Sequence, residues 1–233
     1  MLNAVKKSAC ALAVLATLST AAMAESVSLG VTGTITPPSC KMALGGNGTI
    51  DYGSIDYNSL KRDEFTILDI KSIDFNINCD TPTKVALIAK SERGESAAAH
   101  DGDDLAEISS GNALFGGTNI GAAGLGLSGD KGVGGYGLRI DGSTVNINGT
   151  RRGIVLSSDD NGSAWSKSTY GSFFNNTAVR YMSLSYPEAT GPVSVKTLSA
   201  NLDVQAYINK ATKLDISKET ALDGMVTIEL VYL

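Results

Sequence analysis

Apolar and polar residues alternate along much of the chain, which is the period of a half-buried β-strand. The clearest case is the run 226–232, where Val226, Ile228, Leu230 and Tyr232 share one face of an extended strand. Similar alternating or β-branched runs predict strands at 27–35, 65–70, 73–78, 85–89, 136–140, 144–147, 154–156, 181–185 and 202–208.

Clusters of glycine, asparagine, aspartate and proline separate these runs. Two pairs, Asp141-Gly142 and Asn148-Gly149, are typical of two-residue hairpin turns. Short strands with such turns at this spacing predict an all-β fold, an antiparallel β-sandwich. Residues 94–135 differ, because they are rich in Gly, Ala, Ser and Asp and hold few large apolar side chains. They predict a Gly-rich insertion of surface loops within one domain.

The first 24 residues have the pattern of a secretory signal peptide. Lys6 and Lys7 precede an apolar run at 9–18, and a small-x-small cleavage site follows at 22–24. The run is too short to span the roughly 30 Å of a bilayer's hydrocarbon core. We therefore expect cleavage before Glu25 and export to the periplasm.

Cleavage makes an acidic chain more acidic. It removes two of the 19 basic side chains and none of the 24 acidic ones, which takes the formal net charge from −5 to −7. The chain has no cluster of Lys and Arg, so the sequence predicts no nucleic-acid partner.

Cleavage also leaves Cys40 and Cys79 as the two cysteines of the mature chain. In an oxidising compartment such a pair indicates a disulfide. Buried free thiols or a metal pair are the alternatives. A metal site would need further ligands, and the single histidine, His100, lies among Ala and Asp.

The motifs that would indicate catalysis are weak. Two GxGxxG matches, at 124–129 and 132–137, lack the strand before and the helix after that a dinucleotide site requires. No GxSxG elbow is present, and a Ser–His pair would have to use His100. The acid pairs Asp103-Asp104 and Asp159-Asp160 lack the spaced oxygen ligands of a calcium loop. We expect no enzyme activity, no cofactor and no metal.

A second interpretation is a self-contained secreted or periplasmic carbohydrate-binding module. Trp165 and Tyr170 lie close in sequence to Asn161, Ser163 and Ser168, and together these side chains could stack on a sugar and hydrogen-bond to it. This interpretation predicts that residues 25–36 pair within their own chain. The host or surface ligand is not identified by the sequence.

Both ends of the mature chain carry distinctive segments. The stretch 31–40, Val-Thr-Gly-Thr-Ile-Thr-Pro-Pro-Ser-Cys, resembles the N-terminal extension and first strand of the chaperone–usher pilins, with Gly33 seven residues before the first cysteine. Residues 49–55 and 75–80 are similar to the family's segments after the first cysteine and around the second. The ending 226–233, with tyrosine next to last, is also similar. The likeness covers about half of the mature chain and is strongest to the enlarged, poorly characterised fimbrial-subunit relatives.

The resemblance implies an incomplete immunoglobulin-like sandwich, residues 37–233, that lacks one strand. In the family a periplasmic chaperone fills the gap, and at the outer-membrane usher the extension of the next subunit replaces the chaperone strand, a case of β-augmentation. Residues 25–36 would be that extension. The partners implied are the pilus chaperone, the usher and neighbouring fimbrial subunits, and the destination is a cell-surface fimbrium that contributes to adhesion.

The resemblance also implies roles for individual residues. The donor-strand residues are Val27, Leu29, Val31 and Ile35, which would fill the neighbour's groove, and Gly33, which would lie where that groove is narrow. The groove-wall residues are Val226, Ile228, Leu230 and Tyr232, and the Leu233 carboxylate would be the chaperone's anchor point.

Overall fold

The computed structural model describes residues 26–99, 105, 106, 108, 113–215 and 217–233. The predicted signal peptide with its cleavage site, His100 and Asp103-Asp104 lie outside the described residues. The chain divides into two units, Met1–Thr36 and Pro37–Leu233.

The described part of the first unit, residues 26–36, has no regular secondary structure. Its apolar side chains are almost fully exposed: Val27 91%, Leu29 89%, Val31 91% and Ile35 98%. The run 27–35 therefore forms no strand in the single chain, although its alternating pattern is that of a strand.

The second unit consists of strands, and no α-helix occurs in the part of the chain that the structure describes. The strands are β1 (Cys40–Leu44), β2 (Thr66–Ile67), β3 (Lys71–Thr83), β4 (Val85–Ser91), β5 (Ala97–Ala98), β6 (Leu105–Ala106), β7 (Ala123–Gly124), β8 (Leu127–Ser128), β9 (Lys131–Gly132), β10 (Gly134–Ile140), β11 (Asn146–Ile147), β12 (Ile154–Ser158), β13 (Ser166–Lys167), β14 (Tyr181–Ser185), β15 (Val195–Ile208) and β16 (Val226–Tyr232). Single 3-10 turns occur at Gly46–Gly48, Tyr57–Ser59 and Ala211–Lys213. Among the described residues, no helix is long and apolar enough to cross a membrane.

The strands form two main sheets. The larger has the order β1-β3-β15-β10-β5-β6, with β2 and β11 also on β15 and β7 on β10. The smaller has the order β13-β12-β14-β4-β16, and β8 and β9 form a separate hairpin. All ladders between these strands are antiparallel except the single β5–β10 pair. The prediction of an all-β, largely antiparallel fold is confirmed.

The apolar faces of the two sheets share one core, so the domain is a sandwich. Strand β3 shows how the sequence places it, because Phe75, Ile77 and Cys79 are buried while the residues between them are exposed. These side chains meet others from the smaller sheet, including Leu87 and Met182. Burying this continuous apolar surface is the main force that holds the sheets together.

The predicted disulfide is confirmed. Cys40 and Cys79 face each other in the β1–β3 ladder, with their Cα atoms 4.0 Å apart, and their sulfurs are bonded. The bond therefore ties the first strand of the sandwich to the second-longest strand of the same sheet.

One of the two predicted hairpin turns is correct. Ile147 and Thr150 exchange both backbone hydrogen bonds around Asn148-Gly149, and both turn residues have positive φ. Such a turn favours Asn-Gly because few other residues adopt this backbone conformation. The hairpin predicted at Asp141-Gly142 is wrong, because β10 and β11 both pair with β15 and not with each other.

Residues 94–135 were predicted to form surface loops, but many of their described residues are buried. Strands β5 to β9 lie here, and Leu114, Ile120 and Ala122 are buried in a second apolar cluster around Tyr207. The small residues are needed for close packing: a Cβ at the neighbouring Gly135 would overlap the Tyr207 ring. The scarcity of large side chains in this segment therefore reflects tight packing and not exposure.

Candidate strand-binding groove

Strands β1 and β16 each have one free edge. Among the described residues, β1 pairs with β3 alone and β16 with β4 alone, so each is the outer strand of its sheet. The free edge of a strand offers backbone N–H and C=O groups that can pair with another strand.

The outward-pointing groups can be assigned from the neighbouring hydrogen bonds. The Glu92 N–H donates to the Met225 carbonyl (2.9 Å), and the Leu233 N–H donates to the Lys84 carbonyl (3.0 Å). Because bonding alternates along an antiparallel ladder, the odd-numbered residues of β16 bond to β4 and the even-numbered ones face outward. In the same way the Gly45 N–H donates to the Asp74 carbonyl, so the backbone groups of Met42 face away from β3.

One end of the space between these edges is closed by a direct contact. The Cys40 N–H donates to the Tyr232 hydroxyl over 3.0 Å. Strand β1 begins at this contact and β16 ends at it, so the two strands run in opposite directions. A strand added antiparallel to β16 would therefore run parallel to β1.

Beyond the closed end lies a groove of about 1320 Å³, called here the edge groove. Its lining includes Met42 and Leu44 of β1, Val226 and Ile228 of β16, residues 47–55, residues 214–215, 218–222 and 224–225, and the core side chains Phe75, Leu125, Tyr136, Ala206 and Ile208. Phe75 and Tyr136 are buried core residues, with 2% and 5% of their surface exposed. The groove therefore reaches the core of the sandwich between the two sheet edges.

Tyr136 brings an unpaired polar atom to this lining. Its hydroxyl is buried and has no hydrogen-bond partner among the described residues. Burial raises the pKa of Tyr136, only partly offset by nearby Arg93, so the hydroxyl stays protonated and can donate a hydrogen bond. A buried donor without a partner costs free energy.

One side of the edge groove is bordered by the segment before β16. Arg93 forms a two-bond ion pair with Asp223, with both N–O distances 2.9 Å, and this bond lowers the pKa of the Asp223 carboxyl. The Asp223 N–H also donates to the Leu125 carbonyl (2.9 Å). These contacts hold the segment beside the groove.

The predicted groove-wall residues do not all occupy the same place. Val226 and Ile228 line the edge groove. Leu230 packs against the core outside that lining, while Tyr232 closes the end. Leu233 bonds to Lys84 and is half-exposed.

Several lining residues were missed from the sequence. Met42 and Leu44 belong to β1. The alternation of side chains directly after Cys40 could have indicated this short strand from the sequence. Tyr136 was predicted in a strand, but its place in the groove depends on contacts between distant parts of the chain.

The residues proposed for sugar stacking are only partly brought together. Tyr170 and Ser168 line a separate, smaller pocket, whereas Trp165, Asn161 and Ser163 are not part of it. Asp159 is held by Arg180, and the Asp160 carboxylate accepts hydrogen bonds from Ser158 and Ala164. Within the described residues, no group of three His, Cys, Asp or Glu side chains is placed to hold a metal ion.

The described residues thus define a disulfide-linked β-sandwich with a groove of mixed apolar and polar lining between two sheet edges. Over residues 29–136 the chain is similar to a family described as "Protein of unknown function (DUF1120)". It is also 26% identical over 229 residues to "Uncharacterized protein YhcF" of Escherichia coli (strain K12), covering 90% of this chain and 92% of that protein. Neither description names an activity or a partner.

Proposed function

We propose that this protein is a structural subunit of a chaperone–usher fimbria and that it polymerises by exchanging donor strands. The observation that carries the proposal is a pair of complementary features in one chain. One is the edge groove with its two free strand edges. The other is the segment 27–35, whose apolar face is exposed. In the proposed polymer, this segment of one subunit fills the edge groove of the next.

The chemistry of the two surfaces matches. The inward face of the segment would carry Val27, Leu29, Val31 and Ile35, and the groove is lined by apolar side chains on both edges and at the core. Burying four aliphatic side chains contributes roughly 6–12 kcal/mol before the cost of ordering the segment. The outward backbone groups of β1 and β16 would add main-chain hydrogen bonds, as in other cases of β-augmentation.

Gly33 has a specific role in this proposal. It lies on the apolar face but has no side chain, so its backbone can approach a bulky lining residue closely. Gly33 would therefore fix the register of the donor segment by meeting the narrow part of the groove.

Before assembly, the open groove would make the free subunit prone to aggregate. A free strand edge beside an apolar groove promotes aggregation. A periplasmic chaperone would cover the groove after export, and the usher would exchange the chaperone strand for the next subunit's segment. The finished polymer would lie on the cell surface.

The self-contained module is less well supported as an overall function. It predicts that residues 25–36 pair within their own chain. No ladder includes residues 26–36 in the part of the chain that the structure describes.

Two variants test the proposal. One cannot donate its segment to a neighbour, and the other cannot accept a neighbour's segment in its groove. Val31→Asp places a charge on the donor face and should abolish donation but leave the groove open. Ile228→Asp places a charge in the groove and should abolish acceptance but leave the donor segment intact. Each variant alone should stay monomeric in light scattering after size-exclusion chromatography, and the mixture should form heterodimers and nothing larger.

Thr32→Asp is the matched control, because it adds the same charge to the opposite face of the segment and should polymerise like the unchanged protein. Met42→Asp is a second groove variant on the other edge, for use where Ile228→Asp does not fold. Polymers of the Val31→Asp protein alone, or no heterodimer in a mixture of folded variants, would overturn the proposal.

A further inference from the structure

A polar pocket of about 290 Å³ lies beside β12 and β13. These strands are at the opposite side of their sheet from β16, since the sheet order is β13-β12-β14-β4-β16. The pocket and the edge groove share no lining residue. A strand bound in the groove would therefore leave the pocket open.

The charged part of the pocket is a fixed ion pair. Arg180 donates from Nε and Nη2 to the two carboxylate oxygens of Asp159, both over 2.8 Å. The Arg180 bonds lower the pKa of Asp159, so the carboxylate is ionised at neutral pH. A two-bond pair of this kind holds both side chains in one orientation. Each partner can make further hydrogen bonds, because Asp159 has free lone pairs and Arg180 has further N–H groups.

Hydroxyl groups without partners surround this pair. Ser172 is only 3% exposed and its Oγ makes no hydrogen bond among the described residues. Ser157, Ser166 and Thr169 also line the pocket, and none of their hydroxyls makes a hydrogen bond to another described residue. Ser166 and Thr169 are exposed to solvent, so Ser172 is the informative residue of the four: a buried hydroxyl without a protein partner is typical of a site completed by a ligand or ordered water.

An aromatic ring completes the lining. Tyr170 is partly exposed, 38%, and a Cβ added at Gly117 would overlap its ring, so the ring lies directly against the Gly117 backbone. This contact holds the ring in place beside the polar groups. A fixed ring can pack against the C–H face of a ligand that also carries hydroxyls.

We propose that this pocket binds one saccharide unit, such as a terminal hexose of a surface glycan. Adjacent hydroxyls of a sugar ring both donate and accept, which matches a carboxylate and a guanidinium held side by side. The ion pair compensates its own charge, and Lys167, which also lines the pocket, adds a further hydrogen-bond donor. The volume is at the small end for ligand pockets, which suits a single ring. This binding function goes beyond strand exchange and does not depend on it.

Titration of the isotopically labelled protein, residues 25–233, with simple glycosides tests the proposal. The probes are the methyl glycosides of glucose, galactose, mannose and N-acetylglucosamine, each added to roughly 10 mM because a small site of this kind is expected to bind with a Kd on the order of 1 mM. At least one probe should shift the backbone amide signals of Gly121, Ser157 and Ser168 in a saturable way.

Variants then assign the binding to the pocket. Asp159→Asn and Tyr170→Ala should each weaken binding at least tenfold, and the amide spectrum of each variant reports directly whether it is folded. Glu188→Gln is the matched control, because Glu188 forms a similar but well-exposed ion pair with Arg152 at 3.0 Å. It should bind like the unchanged protein.

The inference is overturned if none of the probes shifts these signals. It is also overturned if the shifts are unchanged in both folded pocket variants. Failure of strand exchange in the Val31→Asp protein has no bearing on this result, because the pocket and the donor segment share no residue.

Discussion

The backbone N–H of Cys40 donates to the side-chain hydroxyl of Tyr232 across 192 positions of sequence. This hydrogen bond joins the start of the first strand of the sandwich to the end of the last. It closes one end of the edge groove and leaves the rest open between the two strand edges. It also defines how far a bound strand can extend toward that end.

Removing this hydrogen bond should lower the stability of the domain. Tyr232→Phe deletes the acceptor and should lower the free energy of unfolding by about 0.5–1.5 kcal/mol, because a single hydrogen bond contributes that much. Urea denaturation measures the change. Tyr170→Phe is the control, since the Tyr170 hydroxyl bonds to no other described residue; equal losses in both variants would show that the contact contributes nothing.

The disulfide should stabilise the domain through the unfolded chain. Cys40 and Cys79 enclose a loop with a sequence separation of 39. Replacing both with alanine should cost up to about 4 kcal/mol, because the open loop gives the unfolded chain more freedom. Thermal unfolding with and without a reducing agent provides a second measurement on the unchanged protein. An unfolding temperature that does not move on full reduction would contradict this expectation.

A buried ion pair in the larger sheet should contribute more to the free energy of unfolding than an exposed ion pair in the smaller sheet. Asp203 accepts hydrogen bonds from Arg139 Nε (2.9 Å) and Nη2 (2.8 Å), and from Ser72 (2.6 Å), with its side chain 4% exposed. Asp203→Asn leaves the charge of Arg139 without its partner and should cost about 3–5 kcal/mol.

Glu229→Gln is the matched control for this substitution. Glu229 pairs with Lys90 at 2.8 Å, but its side chain is 43% exposed, so its loss should cost about 0–1 kcal/mol. Denaturant unfolding of both variants compares the two pairs directly. A smaller loss for Asp203→Asn than for Glu229→Gln would contradict the role given to the buried pair.

The Asp159–Arg180 ion pair should make the stability of the fold depend on pH in a specific direction. Because Arg180 lowers the pKa of Asp159 in the folded protein, the pair stabilises the fold above the carboxyl's ordinary pKa. That stabilisation is lost as the pH falls through the lowered value. Arg180→Met should raise the pKa of Asp159 toward its ordinary range in an NMR titration. The stability difference between the two proteins should shrink in acid, and a difference that grows there would contradict the assignment.

Much of the sandwich could be predicted because its long strands carry their own pattern. Both β14 and β16 have the bounds that alternation predicts, and the buried residues of β3 follow the same period. The cysteine pair could be assigned because only two cysteines are left after the predicted cleavage. In these segments local sequence and global burial agree.

The edge groove could not be read from any one segment. It exists because β1 and β16 lie at neighbouring edges of different sheets, and this depends on pairing between distant parts of the chain. The described strands within 94–135 were missed for a different reason. They consist of two residues each and are rich in Gly and Ala, so they lack a readable period and are stabilised by contacts with neighbours such as Tyr207. The smaller pocket likewise depends on loops that meet only in the folded domain.

Thermal unfolding of two versions of the protein tests the central proposal most directly. One version is residues 25–233, and the other repeats residues 25–37 after Leu233 through a flexible linker. Donor-strand exchange predicts a large gain in stability and solubility for the second version, and Val31→Asp in the added segment should abolish it. If residues 25–233 are already a stable monomer and the added segment has no effect, the edge groove is not a strand-binding site and the proposed function is wrong.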